Sequence, residues 1–329
     1  VLIHAKIISI FIVIAAYFHT ALKFPNIKAD ESYLLFLSKA CKYGIIIILS
    51  TDMMRNIMEI LIHEKIVSLF QKRDPDTHKG NYGRVLLIGG DARYGGAIIL
   101  ASGAALHAGA GLISAATDPC NHCALHSRYP EVMVADWHHV RTMDPLIKQA
   151  DVLVIGPGLG DQIELLESVF SKIFPHQKLV LDADALNLIA KHSLSIPRSH
   201  AFLTPHPGEW KRLSGLGSDD VENLAWAQEK GVNILLKGHR SRLYTSEGIF
   251  VNPTGNPCMA TGGSGDVLSG ILGALLAYFP SPLNAFKAAV YLHGYVADEL
   301  AKAQCPVLPS RLIEALPLFI HQFQNKSGL

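Results

Sequence analysis

Apolar positions follow two rhythms along this chain, and both become regular from about residue 55. Short unbroken apolar runs that end near glycine alternate with longer stretches at helical spacing. Arg84-Val85-Leu86-Leu87-Ile88-Gly89-Gly90 has no polar interruption between its ends, which predicts a strand buried on both faces. Leu112 to Ala116, Val132-Met133-Val134, Val152-Leu153-Val154-Ile155, Leu179-Val180-Leu181-Asp182-Ala183-Asp184 and Ala201-Phe202-Leu203-Thr204 predict further strands. Between them lie stretches of helical period: Ile57 to Phe70, the small-residue segment Ala97 to Ala108, and Gln162 to Phe174. Asp118-Pro119 predicts a helix start, with the proline in the first turn. Such alternation predicts a mostly parallel sheet covered by helices on both faces, a three-layer α/β/α domain. The rhythm tightens at Asn233 to Gly238, Arg242 to Thr245 and Gly248 to Asn252, where short spacing predicts antiparallel strands near one edge. Helices after Gly265, from Leu283 to Ala303 and from Leu312 to Gln324 close the pattern.

The first fifty residues do not share this pattern. Ile7 to Phe18 and Tyr43 to Leu49 are apolar runs, and the first is shorter than the roughly 18 residues a membrane span needs. A signal-peptide core or membrane anchor is one reading of it. The favoured expectation is that translation starts at Met53 or Met54. Residues 1–52 are then an upstream extension and 53–329 a single domain.

Composition narrows the function classes. Apolar residues make up 49% and charged residues 17%, as in a well-buried globular protein. A net charge of +1 offers no footprint for nucleic acid or an anionic membrane. Five cysteines, an odd and sparse set, fit a reducing cytoplasm better than a disulfide scaffold.

The candidate chemistry is concentrated in glycine-rich segments that follow strands. Asn256 to Asp266 ends in Thr261-Gly262-Gly263-Ser264-Gly265-Asp266, directly before the apolar helix that starts at Val267. Small residues there leave backbone N–H groups bare at a helix N-terminus, which suits a phosphate. A phosphate would repel Asp266, so the carboxylate is expected to face a substrate hydroxyl as a general base. Gly89 to Ala97 and Gly156-Pro157-Gly158-Leu159-Gly160 open two more turns, read either as ligand walls or as tight connections. In Thr204-Pro205-His206-Pro207-Gly208-Glu209 two prolines bracket a histidine on a strand-to-helix turn, while Glu209 can serve the helix dipole alone. Lys237-Gly238-His239-Arg240-Ser241 is either a phosphate clamp or an exposed basic turn. Cys120 and Cys123 have zinc-like spacing. On a helix, however, they face away from His122 and His126, and no second such pair exists, so no metal site is expected.

Taken in order, these segments resemble the ADP/ATP-dependent NAD(P)H-hydrate dehydratases, a branch of the ribokinase-like fold. The residues that carry the resemblance are His78-Lys79-Gly80, Tyr94-Gly95-Gly96-Ala97, Ala108 to Leu112, Pro130-Glu131-Val132-Met133, Gly156 to Gly160, Asp182 to Asn187, Thr204 to Glu209, Lys237-Gly238 and Gly262 to Leu268. They span about residues 55–325. The resemblance implies repair of hydrated NADH and NADPH, with Asp266 as the base. It implies that Ala97, Gly158, Gly160, His206 and Asp266 line the hydrate site. Lys237, Gly238, His239, Arg240, Ser241, Gly263, Ser264 and Gly265 would contact the adenine nucleotide. The family usually has Thr where this chain has Ser241, and the hydroxyl is kept. ADP as donor with AMP released, ATP as the alternative donor, Mg2+, a homotetramer and a cytoplasmic setting complete what the resemblance implies. Two other readings stay open on the residues alone: a small-molecule kinase of the same fold, and a non-catalytic nucleotide-binding module.

Overall fold

The order of strands in the sheet places the glycine-rich turns. The computed structural model describes residues 58–197 and 200–326, and the expectation for residues 1–52 lies outside them. The described part belongs to one compact unit. Its strands are β1 (Met58–Ile60), β2 (Arg84–Ile88), β3 (Leu112–Thr117), β4 (Met133–Asp136), β5 (Val152–Ile155), β6 (Lys178–Leu181), β7 (His200–Leu203), β8 (Asn233–Leu236), β9 (Arg242–Thr245) and β10 (Gly248–Val251). They form one sheet in the order β1-β10-β9-β8-β7-β6-β5-β2-β3-β4. All neighbours are parallel except β9, which runs against both β8 and β10. The tight spacing near Gly238 and Ser246 therefore has the predicted consequence: connections that short return the chain antiparallel.

The helices are α1 (His63–Val67), α2 (Gly95–His107), α3 (His122–Arg128), α4 (Val140–Gln149), α5 (Ile163–Phe170), α6 (Ala183–His192), α7 (Pro207–Ser214), α8 (Asp220–Lys230), α9 (Ser264–Tyr278), α10 (Pro282–Ala301) and α11 (Pro309–Lys326). Val85 and Leu87 join one core with Ile98 of α2, Ile271 of α9 and Phe286 of α10. Leu86 and Ile88 are equally buried, yet by strand alternation they point to the opposite face. An unbroken apolar strand is thus covered on both sides, and each such side chain contributes roughly 1.5–3 kcal/mol.

Two sequence expectations change, the first being that the strand from Leu179 ends at Leu181 and α6 takes over from Ala183. The second is that Ile57 to Phe70 is not one helix. Met58–Ile60 pairs with Ile249–Val251, and a five-residue helix follows. Pairing to a sheet edge outweighs helical periodicity over so short a span. The small-residue segment finds its partner in α9: a Cβ on Gly270 would lie 2.1 Å from the Ala101 carbonyl oxygen. Alanines and glycines there allow two helix backbones to touch.

The cysteine expectation also changes. Cys258 and Cys305 form a disulfide, with Cα atoms 5.2 Å apart across a sequence separation of 47. Nothing in an odd count of five marks such a pair; only the return of the α10–α11 connection to the α9 loop brings them together.

Candidate active site

β2 is flanked by β3 on one side and β5 on the other, so the sheet order reverses between β2 and β5. Open α/β sheets bind ligands in the crevice beyond the carboxyl ends of the strands at such a point. Both glycine turns lie there. Gly90 N–H donates to the Pro157 carbonyl at 2.9 Å, and Asp91 N–H to the Gly158 carbonyl at 2.6 Å. The wall is therefore made of backbone held by backbone. Gly156 has φ +126°, and a Cβ on it would lie 1.8 Å from the Asp182 carbonyl oxygen. No other residue fits that approach. Ala97, in the first turn of α2, has its Cβ 3.0 Å from where a Gly158 Cβ would stand. The Gly160 N–H donates to Asp184 Oδ2 at 2.9 Å, which ties the wall to the next strand end.

Asp182, at the end of β6, organises a charged cluster beside this wall. It is 1% exposed. Its Oδ1 accepts from Lys237 Nζ at 2.8 Å, and its Oδ2 from Ser269 Oγ on α9 at 2.7 Å. Lys237 Nζ also lies 4.0 Å from Glu209 Oε2. Burial alone would lower the lysine pKa, but Asp182 and Glu209, with Asp266 behind them, outweigh burial and hold it above its usual value. A Cβ on Gly265 would stand 3.5 Å from Lys237 Nζ and 3.7 Å from Asp182 Oδ2, so the cluster meets the start of α9.

Asp266 sits in the first turn of that helix, whose N-terminus carries no side-chain cap. The Ser264 N–H donates to the Thr261 carbonyl at 3.5 Å, so the amides that follow it are the ones open to an anion. Burial raises the Asp266 pKa to about 7, with Asp182 and then Asp184 adding to the rise and Lys237 opposing it. A carboxylate poised near neutrality is suited to accept a proton from a hydroxyl.

His206 is the N-cap of α7. Its Nδ1 accepts from the Gly208 and Glu209 N–H groups at 2.9 and 3.3 Å, and Glu209 Oε2 accepts from the His206 N–H at 2.7 Å. With Nδ1 accepting, the ring proton belongs on Nε2. The side chain is 51% exposed, and its Nε2 lies 3.4 Å from Glu209 Oε1, so that edge of the imidazole faces the carboxylate.

A cavity of about 410 Å³ opens on the other side of Lys237. Lys237, Gly238, His239, Arg240, Ser241, Ser264 and Gly265 all line it. Gly263 does not; it packs toward Leu100 and Pro309 as the N-cap of α9. Leu235, Leu268 and Val290 supply apolar surface, while Gly255 to Pro257, Met259 and Ala260 form a second wall. His293 closes the inner end, with Nε2 3.5 Å from Ser264 Oγ. Its burial pushes the imidazole pKa down to about 4, so it is neutral at physiological pH. An apolar slot that leads from a basic turn to a bare helix N-terminus can seat a base at one end and phosphates at the other.

Sequence reasoning missed Asp182, Ser269, Asn121 and His293. Asn121 Nδ2 donates to the Gly90 carbonyl at 2.6 Å and to Thr117 Oγ1 at 2.9 Å, which pins the first glycine turn. A polar residue in an apolar helix, such as Ser269, was the available signal. Cys120 lies in a short 3-10 turn ahead of α3, and it and Cys123 are both exposed. A hydrogen bond with Asp118 raises the Cys120 pKa, and among the described residues no cluster of three His, Cys, Asp or Glu forms a metal site.

The chain is similar to proteins of known family. A family model described as NAD(P)H-hydrate dehydratase matches residues 85–318. An ADP-dependent (S)-NAD(P)H-hydrate dehydratase of Lactiplantibacillus plantarum is 43% identical over 274 residues, covering 82% of this chain and 99% of the relative. The enzyme of that name from Listeria monocytogenes is 40% identical over 257 residues, 77% of this chain and 93% of its own. Among solved structures, a ribokinase-like superfamily protein of Enterococcus faecalis superposes with a TM-score of 0.79 at 38% identity, covering 81% of this chain and 97% of the other. The ADP/ATP-dependent NAD(P)H-hydrate dehydratase of Bacillus subtilis, co-crystallised with ATP and Mg2+, superposes with a TM-score of 0.73 at 28% identity over 80% of this chain and 98% of the other.

Proposed function

The chain belongs to the NAD(P)H-hydrate dehydratase family, and from that premise we propose that it restores the S-hydrates of NADH and NADPH at the expense of ADP. Hydroxide is a poor leaving group and a phosphate ester a good one, so phosphorylation precedes elimination. Asp266 takes the proton of the ring hydroxyl as its oxygen attacks the β-phosphorus of ADP. AMP departs, and the amides at the start of α9 hold the transferring phosphoryl group. The ring nitrogen then drives inorganic phosphate off the ring, and loss of a proton from the adjacent ring carbon forms the double bond of reduced nicotinamide.

The observation that carries this reading is the placing of Asp266. It stands at an uncapped helix N-terminus, between a side-chain-free wall and a nucleotide-sized cavity, with its pKa raised to about 7. The hydrated nicotinamide ring is assigned to the Gly158–Gly160 wall and Ala97, with His206 beside it. ADP fits the cavity, its phosphates directed toward Lys237 and the α9 amides. Both Asp182 carboxylate oxygens are already engaged by Lys237 and Ser269. A Mg2+ ion would accordingly be held by phosphate oxygens and water, and there it would offset their charge. A cytoplasmic setting is inferred from the nucleotide substrates, and a homotetramer is the assembly to test by light scattering.

Hydrated NADH incubated with the protein and either ADP or ATP, followed at the absorbance of reduced nicotinamide, tests reaction and donor together. A rise with ADP is expected. No rise with either donor sinks the proposal, and a stable phosphorylated product would mark a kinase instead.

A further inference from the structure

We propose that Cys258 and Cys305 are a reversible thiol–disulfide site that sets how tightly the nucleotide is held. The proposal rests on reading the 410 Å³ cavity as the ADP site. Gly255, Asn256, Pro257, Met259 and Ala260 form one wall of that cavity, and Cys258 lies in the middle of that run with its sulfur bonded to Cys305. The wall is fastened at two places. At one end, Asp298 of α10 accepts from the Gly255 N–H at 2.9 Å and from Asn256 Nδ2 at 2.8 Å. At the other, the disulfide and a 2.9 Å hydrogen bond from the Val307 N–H to the Cys258 carbonyl join it to the α10–α11 connection.

The two sulfurs differ in access. Cys305 is exposed, whereas Cys258 is partly buried against the core. Cys305 is therefore the sulfur that a small thiol or disulfide reaches. In oxidation by a low-molecular-weight disulfide, the Cys305 thiolate attacks one sulfur and releases one thiolate. Cys258 then attacks the mixed disulfide at the Cys305 sulfur and releases the second. Two protein thiols give up two protons and two electrons, and one small disulfide becomes two thiols. Reduction reverses both steps. The remaining exposed pair, Cys120 and Cys123, lies outside this cavity.

An ordered wall spares the nucleotide the cost of ordering it, so the oxidised form binds ADP more tightly. The chemical step is insulated, because Lys237 is held by Asp182, and Asp182 by Ser269, away from the disulfide.

The test equilibrates the full chain in glutathione buffers from reducing to oxidising. The Cys258–Cys305 peptide is quantified by alkylation and mass spectrometry, and ADP affinity by calorimetry. The disulfide should interconvert with the buffer, and reduction should weaken ADP binding about 3–10-fold while turnover at saturating ADP stays constant. Cys305→Ser and Cys258→Ser should show the weak value in every buffer, and Cys120→Ser should respond like the parent. Because the parent alone carries the redox comparison, a variant that fails to fold does not remove the test. ADP affinity that ignores a changing disulfide fraction overturns the proposal, as does a pair that never oxidises or never reduces. If ADP binds in neither state, the nucleotide reading of the cavity fails first, and the inference falls with it.

Discussion

The two sides of the candidate site are built by different physics. The wall of residues 156–160 holds its shape through backbone hydrogen bonds to Gly90 and Asp91, with the Asp184 carboxylate fastening Gly160. The cluster of Asp182, Lys237, Asp266 and Glu209 is side chains throughout, held by mutual charge in a partly dry setting. A backbone wall tolerates changes of charge and is broken by a methyl group. A charge cluster tolerates small changes of shape and is broken by one neutral substitution. Specificity and reactivity can therefore be disturbed separately.

The largest effect should come from the reactive side. Asp266→Asn should lower turnover about 10²–10⁴-fold while leaving ADP affinity within a few-fold, read by NADH formation and calorimetry. Turnover that persists would place the base elsewhere. The same variant should be more stable than the parent. The folded-state pKa of about 7 lies above the ordinary 3.8, so the folded form binds more protons across that interval and the parent loses stability as pH rises through it. Removing the carboxylate should gain about 1–3 kcal/mol above pH 7 and nothing below pH ~4, as measured by denaturant titration. A gain that does not depend on pH would show that the raised pKa is not its source.

Next comes the wall. Gly156→Ala forces a Cβ to within 1.8 Å of the Asp182 carbonyl at a φ of +126°, and should cost about 2–4 kcal/mol. Gly96→Ala, with no atom within 4 Å of its new Cβ, should be nearly neutral. Equal costs in thermal unfolding would mean that the wall is not rigid.

Smaller effects should follow where the two sides meet. Asp182→Asn removes a like charge from Asp266, so the acid limb of the pH–rate profile, set by Asp266 near 7, should move to lower pH. Turnover on the alkaline plateau should fall about tenfold as Lys237 loses its anchor. Ser269→Ala keeps the charge and removes one hydrogen bond. It should raise the ADP KM about 3-fold and leave the acid limb in place. An acid limb that moves equally in both variants would assign the shift to packing and not to charge.

Much of this was legible along the chain. Residues 84–90 announce a doubly covered strand because no polar residue interrupts them, and Gly263-Ser264-Gly265-Asp266 announces an anion site because glycines before an apolar helix leave amides bare. Ala97 and the roles given to the site residues come from the resemblance, while local backbone chemistry marks the glycines at 158, 160 and 265 and the proline-bracketed His206. Asp182 carries no such mark. Its importance comes from Lys237, 55 positions later, and Ser269, 87 positions later. Met58–Ile60 was misread as helix for a similar reason, since its partner is almost two hundred residues away.

The sequence by itself determined the layer architecture, the glycine turns at strand ends and the identity of the anion loop, because periodicity and backbone conformation are local properties. Tertiary structure alone decided that the β2 and β5 turns share one crevice, that Asp182 joins Lys237 to α9, and that Cys258 meets Cys305. Those facts depend on which distant segments the sheet order brings together. They also depend on burial, which raises the Asp266 pKa to about 7 and cannot be read from any residue's neighbours in the chain.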